Sequence, residues 1–191
     1  MARSDDLPVL KLSDAEAFGT WLATHHKSSP GLWLMIPKKG RGVSGPSYTE
    51  ALDEALRFGW IDSHKEKHDE DFFLQRFTPR TSRSRWSKVN REKIEALEKA
   101  GRMEPAGELE VQRAKEDGRW EAAYDSMSTA TVPADLERAL KATPGALSFF
   151  EGLSASQRYR VLYSVQEAKR PETRVRRIEK FVGMCARGES P

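Results

Sequence analysis

Apolar positions recur along this chain with two different spacings, and the changes between them outline the elements. Phe18, Trp21 and Leu22 fall at i, i+3 and i+4, the stripe of a helix that buries one side. Ser13, with Glu16 three residues on, predicts a capping box at its start. A short strand over Val9–Leu12 precedes it, and Ser28-Ser29-Pro30-Gly31 ends it. Leu32–Ile36 is a continuous apolar run between Gly31 and Pro37 and reads as a buried strand. Lys38–Pro46 is rich in glycine and cationic residues and reads as an exposed loop. Ser47 and Glu50 form a second capping box, opening a helix whose stripe is Ala51, Leu52, Ala55 and Leu56.

The spacing then changes to two. Phe58–Asp62 and Phe72–Phe77 read as the strands of a β-hairpin, with the polar run Ser63–Asp71 as its turn. In the second strand Phe73 and Phe77 share one face, while Phe72, Leu74 and Arg76 share the other. Thr78–Arg85 is a loop with three arginines. A helix is predicted from about Ser87 to Ala100, stopped by Gly101, and another from Pro105 to Asp117, stopped by Gly118. Ser126–Pro133, rich in Ser and Thr and without aromatics, marks a boundary. The chain beyond Pro133 reads as helical throughout. Ser154 and Gln157 open one helix, and the last carries the stripe Val175, Ile178, Phe181, Val182 and Cys185. The expected fold is α+β. Residues 1–128 form a small antiparallel sheet with helices, and residues 129–191 form an all-helical domain packed on it.

Composition narrows the function classes. The chain has 191 residues, with 38% apolar and 32% charged, which suits a globular domain and not a disordered one. No apolar run approaches the ~20 residues that span a bilayer, and Met1–Asp6 has no apolar leader stretch. Membrane insertion is therefore not expected, and the expected location is cytoplasmic. A single cysteine, Cys185, leaves no disulfide framework or cysteine zinc site, and its place on the apolar stripe predicts a buried, inert thiol. His64 and His68 fall in the predicted turn, where a spacing of four does not bring them together, so no metal site is assigned. Neither the nucleophile elbow nor the common phosphate-binding glycine motifs occur. Lys39-Gly40-Arg41-Gly42 gives at most a faint phosphate cradle, which a mobile loop explains equally well. No cofactor is expected and no catalytic residue is assigned.

Charge distribution says more than the net charge of +3. Seven basic residues and one acid lie between Arg76 and Lys93, and eight basic residues against three acids lie between Arg158 and Lys180. The first segment supplies a candidate ligand site: Trp60, Asp62, Arg76, Arg80, Ser84, Trp86 and Asn90. Arginine offers planar paired donors to carboxylate or phosphate, and tryptophan an apolar wall. The alternative is an Asp62–Arg76 ion pair across the hairpin, with both indoles in the core. The second segment supplies a candidate anion site: Lys169, Arg170, Thr173, Arg174 and Arg177, beside a helix start at Pro171. Its alternative is a capped, solvated helix start.

Several segments, taken in order, resemble the YdeI/OmpD-associated or bacteriocin-protection family. They are Tyr48–Asp62, Gln75–Arg80, Ser84–Asn90, Gly101–Gly107 and Gly118-Arg119-Trp120, then Phe149–Leu153 and Ala168–Ile178. The resemblance runs over nearly the whole chain. It implies a non-enzymatic binding or interaction protein linked to protection against bacteriocins or antimicrobial peptides under envelope stress. The expected partner is an unknown protein or peptide, or an anionic small molecule of the kind the arginine sets would take. Two other functions stand beside it. One is an enzyme or binder acting on an anionic small molecule at the Arg/Trp/Asp set. The other is nucleic-acid binding through the two arginine-rich segments, which the small net charge disfavours.

Overall fold

The computed structural model describes residues 6–191, so the leader reading of Met1–Asp6 lies outside the described residues except at its last position. The chain divides into two compact units. One holds the residues up to Trp86 together with Asn90–Ala123, and the other holds Ser87–Val89 together with Tyr124–Pro191. The fold is α+β as expected.

The first unit is built on a four-stranded sheet of β1 (Val9–Leu10), β2 (Leu32–Pro37), β3 (Trp60–Lys67) and β4 (Phe72–Pro79), in the order β1-β2-β4-β3. The sheet is mixed and not wholly antiparallel, because β1 pairs in parallel with β2. Helix α1 (Ala15–His25) supplies the crossover that a parallel pair requires. It starts one residue later than the Ser13/Glu16 box predicts. Asp14 is the cap, its carboxylate accepts the Ala17 amide at 2.8 Å, and that bond holds the Asp14 pKa below its ordinary value. The Ser47/Glu50 box forms as expected and opens α2 (Tyr48–Arg57).

Pairing of β2 with β4 aligns Leu32 with Phe77, Leu34 with Gln75 and Ile36 with Phe73. The predicted alternation in β4 therefore holds. Leu32, Leu34, Ile36 and Phe77 join Phe18 and Leu22 of α1 and the stripe of α2 in one core. Strand β3 runs further than the predicted hairpin allows. Ser63–Lys67 continue the strand past a bulge between Asp62 and Lys65. The buried Gln75 amide donates to the carbonyls of Ser63 and His64 at 3.4 and 3.1 Å, so side-chain bonds hold the bulge where the regular ladder shifts. β3 lies at the sheet edge, and its exposed outer half reads as a turn because water meets it on several sides.

Two glycines set how closely the helices approach. A Cβ on Gly19 of α1 would lie 2.5 Å from the Glu54 carboxylate, which is only 5% exposed. Arg57 and Arg102 each take one oxygen of that carboxylate, the second at 2.8 Å, so the buried charge is compensated. α3 (Lys88–Lys99, within this unit from Asn90) and α4 (Pro105–Glu116) complete the unit. A Cβ on Gly107 of α4 would lie 2.2 Å from the Arg57 carbonyl oxygen.

The second unit packs α5 (Ala134–Ala142), α6 (Ala146–Gly152), α7 (Ala155–Gln166) and α8 (Pro171–Ala186) around Leu136, Leu140, Phe150, Val161, Val165, Ile178 and Phe181. The Ser154/Gln157 box is formed. Val175, predicted in the buried stripe of α8, is 54% exposed. Arg174 takes the inward place at that turn, in line with Ile178, Phe181 and Cys185 at i+4, i+7 and i+11. Burial raises the Cys185 thiol pKa and keeps it protonated. Among the described residues no helix is long and apolar enough to cross a membrane.

Gly107→Ala forces a methyl against backbone that has no rotamer to yield. It should destabilise the first unit by about 2 kcal/mol or more, read as a lower denaturation midpoint with an unchanged slope. An unchanged midpoint would show that α4 can shift freely.

Candidate functional site

The structure distributes the first arginine set rather than gathering it. Asp62 lies opposite Phe77 in the β3–β4 register, and Arg76 is the next residue of β4, so the two side chains leave opposite faces of the sheet. Asp62 accepts the Tyr48 hydroxyl at 2.8 Å, which ties the start of α2 to β3. Trp60 is 1% exposed and donates from its indole N–H to the His26 carbonyl at 3.3 Å. Arg80 and Trp86 do meet. The guanidinium lies 3.5 Å over the indole ring and donates to the Arg85 carbonyl at 3.0 Å. Ser84 accepts the Thr81 amide at 2.9 Å, and Arg119 donates to the Ser84 carbonyl at 3.0 Å, fixing the arginine loop. Asn90 is buried in α3. Trp60 and Arg80 also share a smaller cavity of about 430 Å³, beside His26, Leu109 and Glu110.

In the second set, the two inner arginines bind acceptors of their own unit. Arg174 makes a paired contact with Asp135 at 2.6 and 2.9 Å and donates to the Val165 carbonyl at 2.9 Å. Arg177 donates to the Ser164 carbonyl. These bonds join the start of α8 to the start of α5 and cap the end of α7. The Arg174 hydrogen bond is the main reason the Asp135 carboxyl lies below its ordinary pKa. Lys169 and Arg170 are exposed, and Thr173 is half-buried.

A different group of cations converges on open space. A groove of about 880 Å³ lies at one end of the sheet, lined by Lys38, Lys39, Lys65 and Lys67 with Ile36, Pro37, Ser47, Tyr48, Glu66 and Phe73. Local structure explains each position. Ile36, Phe73 and Lys67 form one cross-strand row, because Ile36 pairs with Phe73 and Phe73 with Lys67. Lys65 and Lys67 are two residues apart on a strand and so share that face. Lys65 places its ammonium 3.9 Å over the Phe73 ring. The Lys38 amide extends the ladder to the Asp71 carbonyl at 2.7 Å, and its ammonium donates to the Asp69 carbonyl in the hairpin turn. Ser47 and Tyr48 bring the α2 N-terminus, closed by the Ser47/Glu50 box, to the other side.

The sequence points only faintly at this place, through Lys39-Gly40-Arg41-Gly42. It hides Lys65 and Lys67, because Ser63–Asp71 reads as a turn. The available signal is the Lys-Glu-Lys alternation of 65–67, which on a strand sends both lysines one way. His64 and His68 lie on or just past β3, and among the described residues no cluster of His, Cys, Asp or Glu is placed to hold a metal ion.

A family model described as a domain of unknown function (DUF8412) matches residues 10–110, more than half of the chain. The chain belongs to that family. Residues 129–188 match the model described as Bacteriocin-protection, YdeI or OmpD-Associated. The resemblance read from the sequence therefore holds over the C-terminal part. Its segments from Tyr48 to Gly107 fall within the first match. No curated protein and no solved structure shows a significant match. The groove, with all ten of its lining residues, lies within residues 10–110.

The Arg174–Asp135 contact makes a pH prediction. The Asp135 pKa is depressed in the folded chain, so its contribution is complete above the unfolded carboxyl value near ~4 and is lost as pH falls through the lower folded value. Because both side chains are partly in water, Asp135→Asn should cost only about 1 kcal/mol at neutral pH. The gap from the parent should close as the pH drops below ~4. A gap independent of pH would mean that the contact acts through packing alone.

Proposed function

We propose that this chain is a cytoplasmic, non-enzymatic binding protein that takes an anionic ligand in the lysine-rimmed groove. The carrying observation is that Lys38, Lys39, Lys65 and Lys67 line one cavity together with Ile36, Pro37 and Phe73. Of the lining residues only Glu66 carries a negative charge. A concave site with an apolar floor and a few charged groups at its rim is the usual form of a small-ligand site. The match of residues 129–188 to a model described as bacteriocin-protection supports a role in such protection. Ligands of suitable chemistry are an anionic small molecule or an acidic peptide side chain. Nucleic acid is less favoured, since Arg80, Arg91, Arg174 and Arg177 of the basic segments donate to acceptors inside their own units.

Pyrophosphate titrated into the purified chain at low salt should raise its melting temperature with concentration, and the rise should shrink as salt increases. Lys65→Glu with Lys67→Glu changes two exposed side chains of an edge strand and should leave the fold intact. It should weaken binding at least roughly tenfold, equivalent to about 1.4 kcal/mol. Equal binding by the double variant would place the anion elsewhere. In cells, loss of the chain and replacement by the double variant should lower survival under bacteriocin alike. Unchanged survival in both would remove the protective role.

A further inference from the structure

We infer that the groove selects a small ligand in which an aromatic ring carries the anionic group, the ring lying on Phe73 and the anion meeting Lys65 and Lys67. This rests on the anion-binding reading of the same groove and adds what else the ligand must contain. One contact carries the inference. The Lys65 ammonium stands 3.9 Å from the centre of the Phe73 ring, so cation and ring face satisfy each other.

Three kinds of visitor meet that pair differently. A bare anion draws Lys65 away and leaves the Phe73 face uncovered. A neutral ring must displace the ammonium from Phe73 and gives it nothing in exchange. A ring that carries an anion replaces both partners at once, covering Phe73 and neutralising Lys65. Tyr48 adds a second aromatic wall. The residue is 39% exposed, and its hydroxyl is tethered to Asp62 at 2.8 Å, so it is held in place before any ligand arrives. Lys67 and Lys39 supply further charge on the lining.

The size of the groove suits a short ligand. Lys38 reaches to the Asp69 carbonyl at the hairpin turn, and Ser47 and Tyr48 stand at the α2 N-terminus. A volume of about 880 Å³ lies within the range of sites for small molecules and cofactors. A nucleoside monophosphate has the required combination of ring and dianion, and AMP is the probe.

The test compares AMP, adenosine, inorganic phosphate and a short single-stranded oligonucleotide by thermal shift, on the parent chain and on Phe73→Leu. AMP should bind roughly tenfold or more tighter than phosphate, the gain that stacking one base brings, and adenosine should give no shift. Phe73→Leu should reduce AMP to the level of phosphate while phosphate binds no more weakly than to the parent, since Lys65 then has no ring to leave, with a circular dichroism spectrum like the parent's. Equal affinity for AMP and phosphate overturns the ring requirement while leaving the anion site standing. Adenosine equal to AMP overturns the charge requirement. An oligonucleotide that binds far more tightly than AMP overturns the small-ligand form in favour of a nucleic-acid strand. No shift with any probe overturns the groove reading itself, and this inference with it.

Discussion

Strand β4 is the constraint on which the first unit depends. It is the central partner of both β2 and β3, so its register fixes theirs. A shift by one residue would turn every side chain to the opposite face, and the core would lose Phe77. Three residues on the helix-facing side of β4 then divide the work along its length. Phe77 packs in the core, Gln75 holds the bulge carbonyls of β3, and Phe73 floors the groove. Hydrophobic burial at one end of the strand thus positions the chemistry at the other.

The cations described above fall into two groups, although Lys93 and Lys88 also pair with Asp53 and Asp125 inside their own units. Arginines sit where planar paired donors are useful inside a unit: Arg57 and Arg102 around Glu54, Arg174 on Asp135, and Arg119 on Asp117 and the arginine loop. Lysines rim the groove, where an ammonium on a flexible stem can follow a ligand. Buried arginine is tolerated only with compensation, and Arg80 shows the form this takes, stacked on Trp86 while donating to a carbonyl. A basic stretch in the sequence therefore does not by itself mark a basic binding surface.

Much of the fold is legible in the sequence because its signals are local. The alternation of β4, the α2 stripe and the boxes at Ser47 and Ser154 each depend on residues within a few positions of one another. The Ser13 box fails against a neighbour, since Asp14 is an equally good cap one residue later. Ser63–Lys67 reads as a turn because an edge strand exposed to water carries polar residues on both faces. The candidate site is harder to read. Its lining comes from positions 36–39, 47–48, 65–67 and 73, which only the sheet register assembles. The partners of Arg174 and Arg177 are invisible because helix packing brings them from 9 to 39 residues away.

The bulge in β3 has a consequence for how the chain behaves among its own copies. An edge strand presents unpaired backbone groups that invite another strand to add, which is a common route to fibrils and insoluble assemblies. Between Asp62 and Lys65 the bulge interrupts the regular spacing such an addition needs, and Lys65 and Lys67 set like charges along the same edge. Removing those lysines would thus strip the edge of a guard against self-association.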